Sequence, residues 1–236
     1  MKLSDREADR IIREGWQAYT DSFPREGIPE HPFSPAFERK MARLVRRQRR
    51  RENRRLHRVY YPVTTLGPGR RLGICVQGCT RGCRNCLSPE MQPLTRETVP
   101  VEEILRQIPP DLQPDGLTIS GGEPFDQPKA VDVVVRWFLQ HHTDDVLVYT
   151  GYTLEELRAR GDPDTAALLS HIAALADGPY REEQNFGTGQ MGSANQRLHI
   201  WRHAERYRNF ATMPRTLQAV QEENQVLFIG IPPKEA

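Results

Sequence analysis

Gly73-Ile74-Cys75-Val76-Gln77-Gly78-Cys79-Thr80-Arg81-Gly82-Cys83-Arg84-Asn85-Cys86-Leu87-Ser88-Pro89-Glu90-Met91 contains all four cysteines of the 236-residue chain. Cys79, Cys83 and Cys86 stand at C-x3-C-x2-C, three thiols within eight residues, after a short β-like run and interleaved with Gly78 and Gly82. Such a loop can fold around one soft metal centre. The cysteines are too closely spaced to clamp a fold of this length as disulfides, and no secretory signal is read before them.

Three ligands for a cluster that usually takes four would leave one iron open to a small molecule. Structural zinc is the competing reading. It normally takes four ligands, often as two C-x2-C pairs, and only Cys83 and Cys86 have that spacing. Cys75 could complete a four-thiolate site, but alternation through residues 71–77 points it to one face of a strand, where a buried free thiol is the simpler role. The spacing favours the cluster and leaves zinc open.

A chain of 236 residues can hold one α/β domain with a substantial core and an appendage. No apolar stretch is long enough to span a bilayer, and the charged amino terminus is no signal peptide, so a cytoplasmic protein is expected. The net charge of +2 hides an asymmetry: residues 39–58 hold eleven Lys or Arg against the single acid Glu52. That local +10 leaves −8 on the remainder.

The expected division is a helical, basic extension over residues 1–59 and a cluster-binding domain over residues 60–236. Ser4 caps a helix over residues 4–19, with Glu7 three residues on and a stripe of Leu3, Ile11, Ile12, Trp16 and Tyr19. Prolines 24, 29, 32 and 35 make an irregular link, after which Phe37, Met41, Leu44 and Val45 mark a second helix running into the arginines. A charge run is ordinarily a solvated helix face. This one is lopsided enough to suggest an anionic partner, either nucleic acid or an acidic protein surface.

Beyond the arm, residues 71–77 read as the first strand and residues 99–108 as a helix, stopped by Pro109-Pro110. Residues 115–124, Asp-Gly-Leu-Thr-Ile-Ser-Gly-Gly-Glu-Pro, are a strand whose end lets something approach the backbone closely. A helix over residues 127–140, a strand over 145–150, a helix over 154–160 and a strand over 172–176 follow. Strand–loop–helix repetition of this kind points to an α/β fold with ligands at the carboxyl ends of parallel strands. In the tail, residues 196–201 and 225–231 read as strands and residues 216–223 as a short helical run. His142, His199 and His203 are weak candidates for further ligands.

The C-x3-C-x2-C loop at the end of a first strand resembles the signature of the radical S-adenosylmethionine (SAM) enzymes. That resemblance implies a partial parallel (β/α) barrel, a 4Fe-4S cluster on Cys79, Cys83 and Cys86, and SAM on the open iron. Reductive cleavage of SAM would then yield a 5′-deoxyadenosyl radical that abstracts hydrogen. It also implies that Gly121, Gly122, Glu123 and Pro124 hold the SAM amino group, with Asn85, Cys86, Thr150, Gly151 and Tyr152 completing the cofactor site. An aromatic residue often precedes the last cysteine in that superfamily; Asn85 stands there in this chain.

Three further segments narrow the resemblance. Tyr149-Thr150-Gly151-Tyr152 with Glu155-Glu156-Leu157, Asp177-Gly178-Pro179-Tyr180, and Gly192-Ser193-Ala194-Asn195-Gln196-Arg197 resemble the activating proteins of anaerobic ribonucleotide reductases. The similarity runs over about residues 62–200. It implies an enzyme that abstracts hydrogen from a glycine of a large reductase-like partner, leaving a glycyl radical, with electrons from a flavodoxin- or ferredoxin-type donor. The arginine-rich extension has no counterpart in the shortest activases. Radical chemistry on a small molecule or peptide, and a zinc-structured nucleic-acid-binding protein, are the alternatives.

Overall fold

In the computed structural model, residues 57–94, 100–109, 111–222 and 225–233 are described. The two amino-terminal helices and nearly all of the arginine run lie outside them. The chain divides into two compact units, Met1–Glu52 with Val220–Leu227 and Asn53–Ala219 with Phe228–Ala236. The second carries the site.

Its framework is a six-stranded sheet in sequence order: β1 (His57–Val63), β2 (Arg71–Val76), β3 (Gly116–Gly121), β4 (Val146–Tyr149), β5 (Ala174–Asp177) and β6 (Arg197–Ile200). β2 to β5 run parallel, whereas β1 and β6 are antiparallel edges. The expectation of a parallel α/β fold is met in this mixed, mostly parallel sheet. β1 corrects the reading of residues 71–77 as the first strand. Its sequence His-Arg-Val-Tyr-Tyr-Pro-Val has a proline, which an edge strand tolerates because its N–H side need not donate.

The parallel crossovers carry α1 (Val101–Arg106), α2 (Pro128–His141), α3 (Leu154–Ala159) and α4 (Pro163–His171). Pro128 opens α2 where its missing N–H costs nothing, and Val131, Val134, Val135 and Phe138 form its buried stripe. α3 starts on a reciprocal capping box: Thr153 Oγ1 accepts from Glu156 N at 3.2 Å, and Glu156 accepts from Thr153 N at 2.7 Å. α4, which the periodicity did not disclose, begins at the cap Asp162, whose side chain accepts from Thr165 N at 2.7 Å. Alternation along β4 splits its side chains. Val146 and Val148 join Phe138, Val135, Leu168 and Leu175 beneath the helices, while Leu147 packs on the other face with Tyr207 and Phe210.

The amino-terminal end of the sheet is closed by a fully buried arginine. Arg71 donates to Thr118 Oγ1 at 2.6 Å, to the carbonyls of Leu117 and Asp145 at 2.7 and 2.9 Å, and to Asp145 Oδ1 at 3.1 Å. Arg206 pairs with the same carboxylate at 2.9 Å, and the Tyr207 hydroxyl donates to it. A buried charge tolerates this position because a carboxylate partners it and each of its nitrogens finds an oxygen acceptor.

Gln218–Glu222 and Gln225–Ile229 form β7 and β8, a two-stranded sheet. This corrects the helical reading of residues 216–223. A run that short cannot sustain a helix alone, and the β-prone Val-Leu-Phe-Ile stretch two residues on supplies a ladder instead.

Candidate functional site

β2 delivers the chain into the cysteine loop at the carboxyl end of the sheet. The loop closes on itself through Gly78 N to Met91 O at 2.9 Å and Cys79 N to Gln92 O at 3.0 Å. Within it Gly82 and Asn85 adopt positive φ, +59° and +54°, a conformation Asn tolerates better than most side chains. Gln92 Nε2 donates to Cys83 O at 3.2 Å, and Ser88 N lies 3.4 Å from Cys86 Sγ. All four cysteines are free thiols.

Cys79, Cys83 and Cys86 lie in this loop, partly exposed. Burial raises the pKa of Cys86, and the neighbouring Cys83 and Cys79 add to that rise. Burial also raises Cys79. Cys75 is elsewhere, the penultimate residue of β2, paired between Arg58 and Ser120, its thiol pushed up to about 11 by burial. Among the described residues no three His, Cys, Asp or Glu side chains converge closely enough to hold a single ion. A tetrahedral ion needs its ligands together, whereas a cluster takes one thiolate per iron.

The double glycine lets the loop after β3 lie directly on the cysteine loop. Gly122 N donates to Val76 O at 2.7 Å and Glu123 N to Gly78 O at 2.8 Å. A Cβ on Gly122 would stand 2.3 Å from Gly78 O, and one on Gly121, at φ +102°, 2.6 Å from Val76 O. The close approach expected from the sequence is therefore made, at least in part, by the chain itself.

Glu123 is buried and binds inward. Its Oε1 accepts from Phe125 N at 2.9 Å and Thr150 Oγ1 at 2.8 Å, and its Oε2 from Gly151 N at 2.8 Å. Burial nevertheless pushes its carboxyl up to about 7. One side chain thus joins the β3 loop to the β4 loop. Pro124 opens the short 3-10 turn Pro124–Asp126 that Glu123 caps.

Asp126 then reaches back to the cysteine loop, accepting from Thr80 N at 2.7 Å, Thr80 Oγ1 at 3.0 Å and Tyr152 Oη at 2.9 Å. The Tyr152 ring has two guanidiniums against it, Arg81 at 4.4 Å and Arg160 at 4.0 Å from its centroid. Arg160 also donates to Phe125 O at 2.6 Å. Sequence reasoning singled out Tyr152 but missed Thr80, Arg81, Asp126 and Arg160. The position of Thr80 and Arg81 between two of the cysteines was the available signal.

The segment after β5 forms another part of the rim. Asp177 accepts from Leu154 N at 2.6 Å and pairs with Arg197 at 2.7 Å, which also holds Glu155 at 2.5 Å. Gln196 Oε1 accepts from Gly192 N at 2.7 Å, and Asn195 Nδ2 donates to Pro179 O at 2.7 Å. Asn85 donates to the Glu182 carboxylate, and an added Cβ on Gly192 would lie 3.0 Å from both Leu87 and Tyr180. The three histidines do not join the cysteines: His199 pairs with Asp177 at 3.0 Å, His203 with Asp144 at 2.6 Å, and His142 lies edge-on to Trp137 and tilted against Phe138.

A family described as a 4Fe-4S single cluster domain matches residues 65–199. The anaerobic ribonucleoside-triphosphate reductase-activating protein of Vibrio cholerae is 34% identical over 151 residues, covering 59% of this chain and 94% of the relative. Its Haemophilus influenzae counterpart is 32% identical over 151 residues, with the same coverage. That of Escherichia coli K12 is 28% identical over 152 residues, covering 59% of this chain and 95% of the relative. This chain belongs to the reductase-activating family. It is a radical SAM enzyme of the activating type, and its cofactors are a 4Fe-4S cluster and SAM. Three thiols grouped on one loop at the carboxyl end of the sheet fit the activase cluster, and the zinc alternative falls with that assignment.

Proposed function

We propose that this activase removes a hydrogen atom from a backbone glycine of an anaerobic ribonucleoside-triphosphate reductase, the partner named by its relatives. The carrying observation is the interlock of the cysteine loop with the two βα loops that follow it, through Glu123, Asp126 and Tyr152. Cys79, Cys83 and Cys86 would hold the cluster, with Cys75 spared inside β2. When bound, the cluster and SAM supply the hydrogen-abstracting 5′-deoxyadenosyl radical.

The chain's own residues have two tasks. The backbone at Gly121 and Gly122, with Asn85, Cys86, Pro124 and Gly151, would border SAM. Glu123, Thr150 and Tyr152 spend their polar atoms on the loops and so act from behind that cradle. We read the open six-stranded sheet as the partial barrel of the radical SAM enzymes. Its open architecture leaves room for a polypeptide segment to enter.

Electrons would come from a flavodoxin- or ferredoxin-type protein. The free thiols suit a reducing compartment, which supports a cytoplasmic location, and among the described residues no helix is long and apolar enough to cross a membrane. The arginine run would add contact with an anionic partner, nucleic acid or acidic protein. Anaerobic reconstitution with iron, sulfide, reductant, SAM and the reductase tests the main reading. The expected result is 5′-deoxyadenosine together with a glycyl radical signal by electron paramagnetic resonance. Production of neither rejects it.

A further inference from the structure

Phe186 is 65% exposed, yet the backbone around it is held by buried side chains. Asn185, immediately before it, is buried. Its Oδ1 accepts from Arg215 Nη1 at 2.6 Å and from Gly187 N at 3.1 Å, while its Nδ2 donates to Tyr180 Oη at 3.1 Å. Arg215 is 5% exposed and, apart from a 3.4 Å bond from Nη1 to Pro232 O, donates to the same loop. It donates to Thr188 O at 3.1 Å, Gly189 O at 3.0 Å, Met191 O at 2.5 Å and Gly192 O at 3.2 Å. Gly187 and Gly189 take φ of +78° and +70°, and a Cβ on Gly189 would stand 2.4 Å from Ala211 O. Such a loop could have turned its aromatic residue inward. It holds the ring in water instead.

The location gives this meaning. Gly192, at the end of the loop, is packed against Leu87 just after the last cysteine, and Glu182, just before it, bonds Asn85. The loop therefore stands on the rim of the cysteine loop. Arg181, Glu182, Glu183 and Thr188 are exposed around Phe186. An aromatic anchor with a polar surround is the composition of a protein-binding hot spot, and a loop fixed beforehand loses little entropy on binding.

We propose that Phe186, presented by the Arg215-braced loop, is the anchor by which the activase docks its protein substrate, inserting into an apolar pocket beside the target glycine. The occupant is the reductase. This rests on the reading under Proposed function, because the relatives are named for activating a protein rather than a small molecule. A flat exposed ring contributes to affinity only if the partner buries it, so the effect is confined to steps that involve the partner.

The test uses the reconstituted holoenzyme and its Phe186→Ala and Phe186→Trp variants. SAM cleavage is measured without the reductase, and affinity and glycyl radical yield with it. Phe186→Ala should cleave SAM at the wild-type rate within about twofold and bind the reductase at least about tenfold more weakly, the loss typical of a hot-spot aromatic. Phe186→Trp should retain binding. Unchanged reductase affinity in Phe186→Ala overturns the proposal. So does an equal loss of SAM cleavage without partner, which would make the ring a cofactor contact, or a loss of self-association alone. A wild-type enzyme that cleaves SAM but does not bind the reductase overturns the partner reading and the docking role together. A wild-type enzyme that binds while the variant binds equally overturns the docking role alone.

Discussion

Thr80, between the first two cysteines of the loop, donates both its backbone N–H and its hydroxyl to the carboxylate of Asp126, at 2.7 and 3.0 Å. The two residues lie 46 apart in sequence, and the pair fixes the cysteine loop to the loop that follows β3. Asp126→Ala removes both acceptors and the Tyr152 bond, a loss of about 1–3 kcal/mol. The reconstituted variant should release iron to a chelator several-fold faster than wild type, with the far-ultraviolet circular dichroism unchanged. Asp126→Asn, which keeps one carbonyl oxygen, should fall between. Wild-type iron retention in the alanine variant would show that Thr80 and Asp126 do not hold the loop.

Single replacement of Cys79, Cys83 or Cys86 by Ala should abolish cluster assembly, read as the absence of bound iron and sulfide and of the brown chromophore. Cys75→Ala should bind a full complement of iron, because that thiol sits in the β2 ladder between Arg58 and Ser120, outside the loop that carries the other three. Iron loss in Cys75→Ala would reassign the ligands.

Gly122→Ala places a methyl group 2.3 Å from Gly78 O and 2.9 Å from Met91 O. Both neighbours are backbone, so neither can swing away, and the overpacking should cost about 1–3 kcal/mol or more. The strain falls on the base of the cysteine loop rather than on the sheet. The variant should fold and yet assemble cluster poorly, seen as low iron content beside a small fall in melting temperature.

Glu123 gives stability a pH dependence of predictable sign. Burial raises its carboxyl from 4.5 to about 7, so across that interval the folded chain holds a proton that the unfolded chain has released. Its contribution is fully present below 4.5 and is lost as pH rises through about 7. Denaturation of the metal-free chain should show its midpoint falling over that interval. Glu123→Gln, uncharged at every pH, should be less stable at acid pH, because its amide group must oppose one of the three donors, and should lack the decline. The same slope in both proteins would trace the effect to another group.

The parallel strands were legible because both faces are covered, so Val146 to Val148 and Ala174 to Ala176 read as short apolar runs and Leu117 to Ile119 as one broken only by Thr118. β1 was hidden by Pro62 and its basic flank, and α4 by a sequence, Pro-Asp-Thr-Ala-Ala-Leu-Leu-Ser-His, with little apolar asymmetry. The cysteine loop announced itself through spacing alone. The bonds that hold it could not be read so, since Asp126 and Tyr152 lie 46 and 72 residues from Thr80 and meet it only once three strands align. Arg215 was equally silent: nothing local distinguishes a buried arginine from the many exposed ones in this chain.

Arg71 and Asp145, sealed under the start of the strands, give the domain a rigid root. The strands are pinned where the chemistry is not, at the end opposite the cysteine loop. The trunk of the domain is thus anchored independently of the canopy that carries the cysteines, and the bonds that fasten the canopy are a separate set from those that root the sheet.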